Sequence, residues 1–257
     1  MSVLLRLDHL VIAVDDPDAA AAELERRVGL ACSGGGRHPT WGTHNRLAWF
    51  GDTYAELIGV FDRSLAPSGA VSRAVLAALD AGHPGLVTYA LATDVAAADL
   101  ARLRAAGSDL SDLESRSRTR PDGEVVRWRA AFPPRRGPDQ PPFIVEHEPV
   151  GGEWGPAARE VRAVERHPIG GPVRVRALTL PVEGPAVAAA AYRRTLGLAF
   201  GTGFGFETGS GFETAVGEQL VRLVPGRPPA EAATVDLAAP GSAALDIVAL
   251  GVRWRIV

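Results

Sequence analysis

Lysine is absent: all 27 basic residues are arginine. Schiff-base chemistry on a lysine amine is therefore excluded. A single cysteine, Cys32, rules out an internal disulfide framework and any multi-cysteine metal site. As a nucleophile it needs a nearby base, and a lone thiol reads first as a small buried hydrophobe. No apolar run approaches the roughly 20 residues needed to span a bilayer. The opening residues also lack a basic start followed by an apolar stretch and a small-residue cleavage site, so a cytoplasmic protein is expected. Neither sign of charge dominates: 30 acidic residues oppose the arginines, for a net charge of −3. That balance leaves no footprint for nucleic acid or an anionic membrane. No nucleophile-elbow serine occurs. The glycine-rich run Gly201-Thr202-Gly203-Phe204-Gly205 lacks the spacing and helix entry of a nucleotide loop.

What is present is a repeat in a chain of 257 residues, 46% of them hydrophobic. Leu4 to Val14 predicts an apolar strand. Asp16 is a natural N-cap, Pro17 fits the first helical turn and Gly29 the stop, with Ala20, Leu24 and Val28 as one stripe. Val173 to Val182 repeats the strand, Pro185 the helix start, Ala188, Tyr192 and Leu196 the stripe, and Gly197 the stop. Both helices run 12 positions from proline to glycine and exit into Gly-Leu. A third copy lies between, with Leu86–Thr93 as strand, Asp94 as cap and Gly107 as stop. Extended segments follow each glycine, so the units read as β-α-β-β-β, with the last less regular. The pattern predicts an α+β fold in which each copy buries its face against a neighbour. Modules at 4–62 and 86–148 form a domain over 1–150. The Gly/Pro-rich stretch 151–172 is a linker, and 173–257 is a third, partial unit and a candidate contact for a homodimer.

Strand alternation suggests a site. Leu7, His9, Val11 and Ala13 share one face of the first strand, and Leu10, Ile12 and Val14 the other. The second set should lie under the helix, leaving His9 on the concave side. Tyr54, Glu56, Ile58 and Val60 likewise share a face. A carboxylate between apolar neighbours is costly unless paired or metal-bound. His9 and Glu56 would offer nitrogen and oxygen to Zn, Mn, Fe or Ni; the alternatives are a hydrogen-bonded histidine beside Asp8 and a glutamate paired with an arginine. His44 and Asn45 are candidates for proton transfer and orientation, or a loop-capping pair. Arg118 and Arg120 are candidates for holding a substrate carboxylate, or solvated charges. Trp41 and Trp128 read as pocket wall or core.

The segments Leu7-Asp8-His9-Leu10-Val11-Ile12-Ala13-Val14-Asp15-Asp16, Trp41–Leu47, Tyr54–Val60, Arg118–Gly123, Arg127–Arg129 and Pro142–His147 resemble, in this order, the glyoxalase-like domains of the vicinal oxygen chelate superfamily. The resemblance covers residues 4 to 148, and the remainder only by pattern. It implies paired β-α-β-β-β modules curving a sheet around a cleft, a small-molecule substrate, and lyase, isomerase or dioxygenase chemistry at a divalent metal. It also points to Glu146 as a second-module ligand, with His147 on the opposite strand face. Counting back from Gly107 by the His9-to-Gly29 interval lands on Val87, and from Gly197 on Ala177; neither side chain binds metal. A metal-free protein that sequesters a small molecule is the competing expectation.

Overall fold

The computed structural model describes residues 4–135, 137–202 and 211–257. The first module is β1 (Arg6–Ala13), α1 (Pro17–Val28), β2 (Gly35–His38), β3 (Thr43–Phe50) and β4 (Thr53–Val60). A bridging helix, α2 (Ala70–Asp80), leads to the second: β5 (Gly85–Ala92), α3 (Ala96–Ala105), β6 (Glu114–Thr119), β7 (Val125–Ala131) and β8 (Phe143–His147). These eight strands close into a barrel of order β1-β4-β3-β2-β6-β7-β8-β5, with β5 returning to β1. The expected curved sheet thus closes completely.

Helix ends follow local chemistry. The Asp16 carboxylate accepts from the Asp18 and Ala19 N–H groups at 2.8 and 3.2 Å, and Gly29 takes the left-handed conformation, φ 75°, that closes α1. α3 is capped differently from the expectation of Asp94. Its first N–H, at Ala96, donates 3.0 Å to the carboxylate of Glu146, and Thr93 Oγ1 accepts from Val95.

After two short helices, α4 (Gly151–Trp154) and α5 (Pro156–Val164), the chain builds a second sheet. It comprises β9 (Arg174–Val182), α6 (Pro185–Leu196), β10 (Gly201–Thr202), β11 (Phe212–Val216), β12 (Gln219–Pro225), β13 (Ala233–Ala238), β14 (Leu245–Ala249) and β15 (Val252–Ile256). Its order, β10-β11-β12-β9-β13-β15-β14, matches the barrel order β2-β3-β4-β1-β5-β8-β7. The third unit is therefore followed by three strands placed as in the second module, with no helix between β13 and β14 and, among the described residues, no counterpart of β6. The rest of the Gly201–Gly205 run lies outside the described residues. None of the described helices is long and apolar enough to cross a membrane.

The two sheets share one core. Leu7, Leu10, Ile12 and Leu57 from the barrel's outer surface join Leu24 and Val28 of α1 and Leu178, Leu180, Leu237 and Trp254 of the second sheet. Leu7 sits with Leu10 rather than with His9, against simple alternation. The cause is a β-bulge: Leu7 pairs with Leu91 and His9 with Ala90, so Asp8 is an extra residue. The bulge is held from outside the barrel. The Leu7 N–H donates 2.7 Å to Gln219 Oε1, Thr53 Oγ1 donates 2.7 Å to the Leu7 carbonyl, and Gln219 Nε2 donates 3.0 Å to Thr53 Oγ1. Replacing Gln219 with Leu keeps the volume but leaves a buried N–H without an acceptor, so a loss of about 1–3 kcal/mol is expected. Urea unfolding measures it, as a lower midpoint with an unchanged slope.

Candidate functional site

The barrel interior is polar in the middle and apolar at both ends. One end is filled by Val11, Ile58, Phe132 and Phe143 with Val75 of α2, the other by Trp49, Tyr54 and Val126 with Trp154 of α4. Between them lies a cavity lined by His9, His38, Asn45, Glu56, Arg118 and His147, among others.

Asp8 organises the floor. It is fully buried, and Oδ1 lies 2.7 Å from His9 Nδ1 and 3.0 Å from His147 Nε2. Burial alone would raise its carboxyl, but the His147 charge and the hydrogen bonds to His147 and His9 hold it well below the carboxylate range. An ionised Asp8 only accepts, so both imidazoles donate to it. In neutral His9 the proton then sits on Nδ1, leaving Nε2 bare. That nitrogen lies 3.8 Å from Glu56 Oε2. The other oxygen of Glu56 accepts from Asn45 Nδ2 at 2.5 Å, and Asn45 Oδ1 is fixed by the Gly36 N–H at 2.9 Å. The His9 ring stacks on Tyr54 at 4.7 Å. Burial first, then the charges of Asp8 and Glu56, push the Tyr54 hydroxyl well above its usual range, so it stays protonated near neutrality.

Asp8, His9 and His147 each bring a potential metal-ligating atom within 4.8 Å of the others. The shared oxygen of Asp8 already accepts from both imidazoles there, so a cation between them would displace both protons. The other nitrogen of His9, with Glu56, is the better placed pair of lone-pair donors.

Trp41, Asn45, Arg118 and Trp128 line the cavity, together with His9 and Glu56. His44 pairs with Arg37 at the β2–β3 edge and meets the Phe61 ring, on the strand face opposite Asn45. Glu146 also lies outside, bound to Arg129 at 2.7 Å and capping α3, whereas His147 points in. Arg118 is spent on protein partners, Gly35 O and Glu153, each at 2.5 Å. Arg120 pairs with Asp122 and Glu124. Cys32 packs against the core, and burial first pushes its thiol up to about 12.

His38, Arg116 and Glu153 also line the cavity and Trp154 packs at its end, although no sequence motif marks any of the four. Arg116 carries the same alternation signal as Arg118. Glu153 and Trp154 lie in the expected linker, where no strand period points inward. His147 stacks on Trp154 at 3.8 Å.

Strand register gives the counterparts of the His9–Glu56 pair in the other frames. A second bulge places Val87 as the extra residue on β5. The counterpart of His9 is consequently Thr88, not Val87, because α3 reaches its stop glycine one residue sooner than α1: Pro17 to Gly29 is 12 positions and Ala96 to Gly107 is 11. Ala90 faces Phe143 as Val11 faces Glu56, so Phe143 stands where a second glutamate would be. In β9 the extra residue is Arg176, giving Ala177 for His9 and Arg222 for Glu56. In the last frame the corresponding residues are Thr234 and Arg255. Among the described residues, only the first frame carries both side chains.

A family profile described as a glyoxalase-like domain matches residues 7–196. No curated protein matches significantly. Among solved structures, a hypothetical protein from Staphylococcus aureus is similar over 99% of each chain, with a TM-score of 0.78 at 13% identity. Methylmalonyl-CoA epimerase from Mycobacterium tuberculosis is similar over 59% of this chain and 92% of its own, at 20% identity and a TM-score of 0.41.

His38 supplies a test of the buried electrostatics. Burial first, then the charges of Arg118 and His44, lower its pKa from about 6.5 to about 3. Between those values the unfolded chain binds a proton that the folded one refuses, so stability falls as pH drops. His38→Asn is expected to flatten the stability curve between pH 6.5 and 4 by up to about 1.4 kcal/mol per pH unit. Asp8, with its folded pKa below an unfolded value near 3.9, stabilises above that value and loses this contribution only at lower pH. Chemical unfolding across the window gives the comparison.

Proposed function

The chain belongs to the glyoxalase-like domain family of the vicinal oxygen chelate superfamily, and on that premise we propose that its barrel cleft is an enzyme site of isomerase or lyase type. His9 and Glu56 would hold a divalent metal together with a small-molecule substrate. One observation carries the reading: His9 Nε2 and Glu56 Oε2 are 3.8 Å apart while the other polar atom of each is engaged by Asp8 and Asn45. Ligating histidines characteristically donate their second N–H to a carboxylate, and ligating carboxylates are themselves hydrogen-bonded. The donor set therefore fits a cation, but as a two-ligand site. Thr88 and Phe143 occupy the second-module places, which leaves the remaining positions to substrate oxygens and water.

A divalent metal bound there supplies Lewis acidity toward a carbonyl or paired oxygens. The chain's own residues do the rest. Asp8 fixes the His9 ring and tautomer, Asn45 fixes the Glu56 carboxylate, and Phe132, Phe143 and Trp128 form an apolar wall against the reacting end. Dioxygenase chemistry is less suited, because a non-haem iron centre commonly takes two histidines and a carboxylate, and among the described residues His147 clusters with Asp8 and His9 rather than with His9 and Glu56. The metal-free sequestration reading is favoured by the Phe143 ring, 5.4 Å from His9.

Calorimetric titration of chelator-treated protein with Mn, Zn, Ni or Fe(II) is expected to show one site. His9→Ala and Glu56→Ala abolish it, Asn45→Ala weakens it by roughly 10–100-fold, and His44→Ala and Glu146→Ala leave it unchanged. No metal uptake alongside retained small-molecule binding would replace this reading with sequestration.

A further inference from the structure

The rim of the cleft differs from its floor in charge. Trp41, Val71, Arg116 and Trp128 are half-buried lining residues, and Arg116 is the cation among them. Its guanidinium lies over the Trp41 ring at 4.4 Å and the Phe132 ring at 5.1 Å. Its side chain is only 10% exposed, and its ion-pair partner, Glu114, is 45% exposed. An exposed carboxylate is a weak, replaceable partner. A nearly buried guanidinium with five donors is costly to leave so sparsely matched. Two residues along β6, Arg118 shows the contrast, bound to the buried Glu153 and a backbone carbonyl.

We propose that Arg116 is a substrate-binding residue and that the cleft takes small carboxylic acids with a flat apolar body. The planar guanidinium suits bidentate carboxylate recognition. The rings of Trp41, Trp128, Phe132 and Phe143, all lining the cleft, receive the body. The carboxylates of Asp8 and Glu56 repel a second anion at the floor. The acid group therefore stays at the rim, and the uncharged end reaches His9 and Glu56. The inference rests on the enzyme reading above for what happens at the floor, but not for the binding it describes.

The test is tryptophan-fluorescence titration of metal-free protein with phenylacetate, phenylacetamide, benzylphosphonate and acetate. Phenylacetate is expected to bind roughly tenfold or more tightly than phenylacetamide. Arg116→Gln removes that preference while its amide affinity is retained. Glu114→Gln strengthens phenylacetate binding by releasing the competing carboxylate, and it leaves the stacked arginine in place should Arg116→Gln disturb the fold. Equal affinity for acid and amide, or a preference that survives in Arg116→Gln, overturns the proposal. Tighter binding of the phosphonate overturns the carboxylate assignment, and acetate binding as tightly as phenylacetate overturns the apolar body. Because no metal is present, a failed metal titration leaves these outcomes unaffected, and the two readings fail separately.

Discussion

One extra residue in the first strand sets the geometry on which the site depends. The Asp8 bulge separates Leu7, which packs outward against the second sheet, from His9, which faces the cleft. A regular strand would place Leu7 and His9 on one face and force either a leucine into the polar floor or an imidazole into the inter-sheet core. The bulge avoids both and puts a carboxylate between two imidazoles. Its backbone groups are matched by Gln219 and Thr53, so the second sheet holds the strand that carries the candidate site. The packing between the sheets is thus tied to the chemistry within the first.

The floor is stable because each charge has a geometric answer. Asp8 is offset by two N–H groups, Glu56 by Asn45, and Arg118 by Glu153. Trp154 closes one end of the barrel and packs face to face with His147. The same scaffold recurs in the second sheet with opposite content. There the arginines Arg222 and Arg255 flank the buried Asp236, so the face that holds a His–Glu pair in the barrel holds an ion-pair network instead. Backbone frame and chemistry vary independently, as expected when function resides in grafted side chains rather than in the fold.

Much of this was readable from residue order. The proline-to-glycine helix spacing, the Asp16 cap, the strand alternation around Glu56 and the inward His9 all follow from local rules that tertiary structure leaves intact. Other features depend on register. Thr88 replaces Val87 because α3 reaches its stop glycine one residue sooner than α1, which offsets a count made from the helix terminus. Glu146 looks like a ligand in a strand but caps a helix that sits beside it only in three dimensions. His44 and Asn45, read as one pair, are adjacent strand residues and so face opposite ways. Glu153 and Trp154 enter the barrel from a segment whose glycines and prolines read as a connector. Arg116 follows the same alternation as Arg118, and only the partners around each separate a saturated arginine from an available one.

The hydrogen bond from Leu7 to Gln219 spans 212 positions. Long-range closures of this kind form late, because chain entropy opposes them until many nearer contacts are made. During synthesis β1 appears long before β12, which carries the acceptor for its bulge. A nascent or truncated chain ending before β12 would carry every residue of the His9–Glu56 floor while lacking the brace for its first strand. The first strand of this cleft is therefore braced from β12 rather than by the modules that line it.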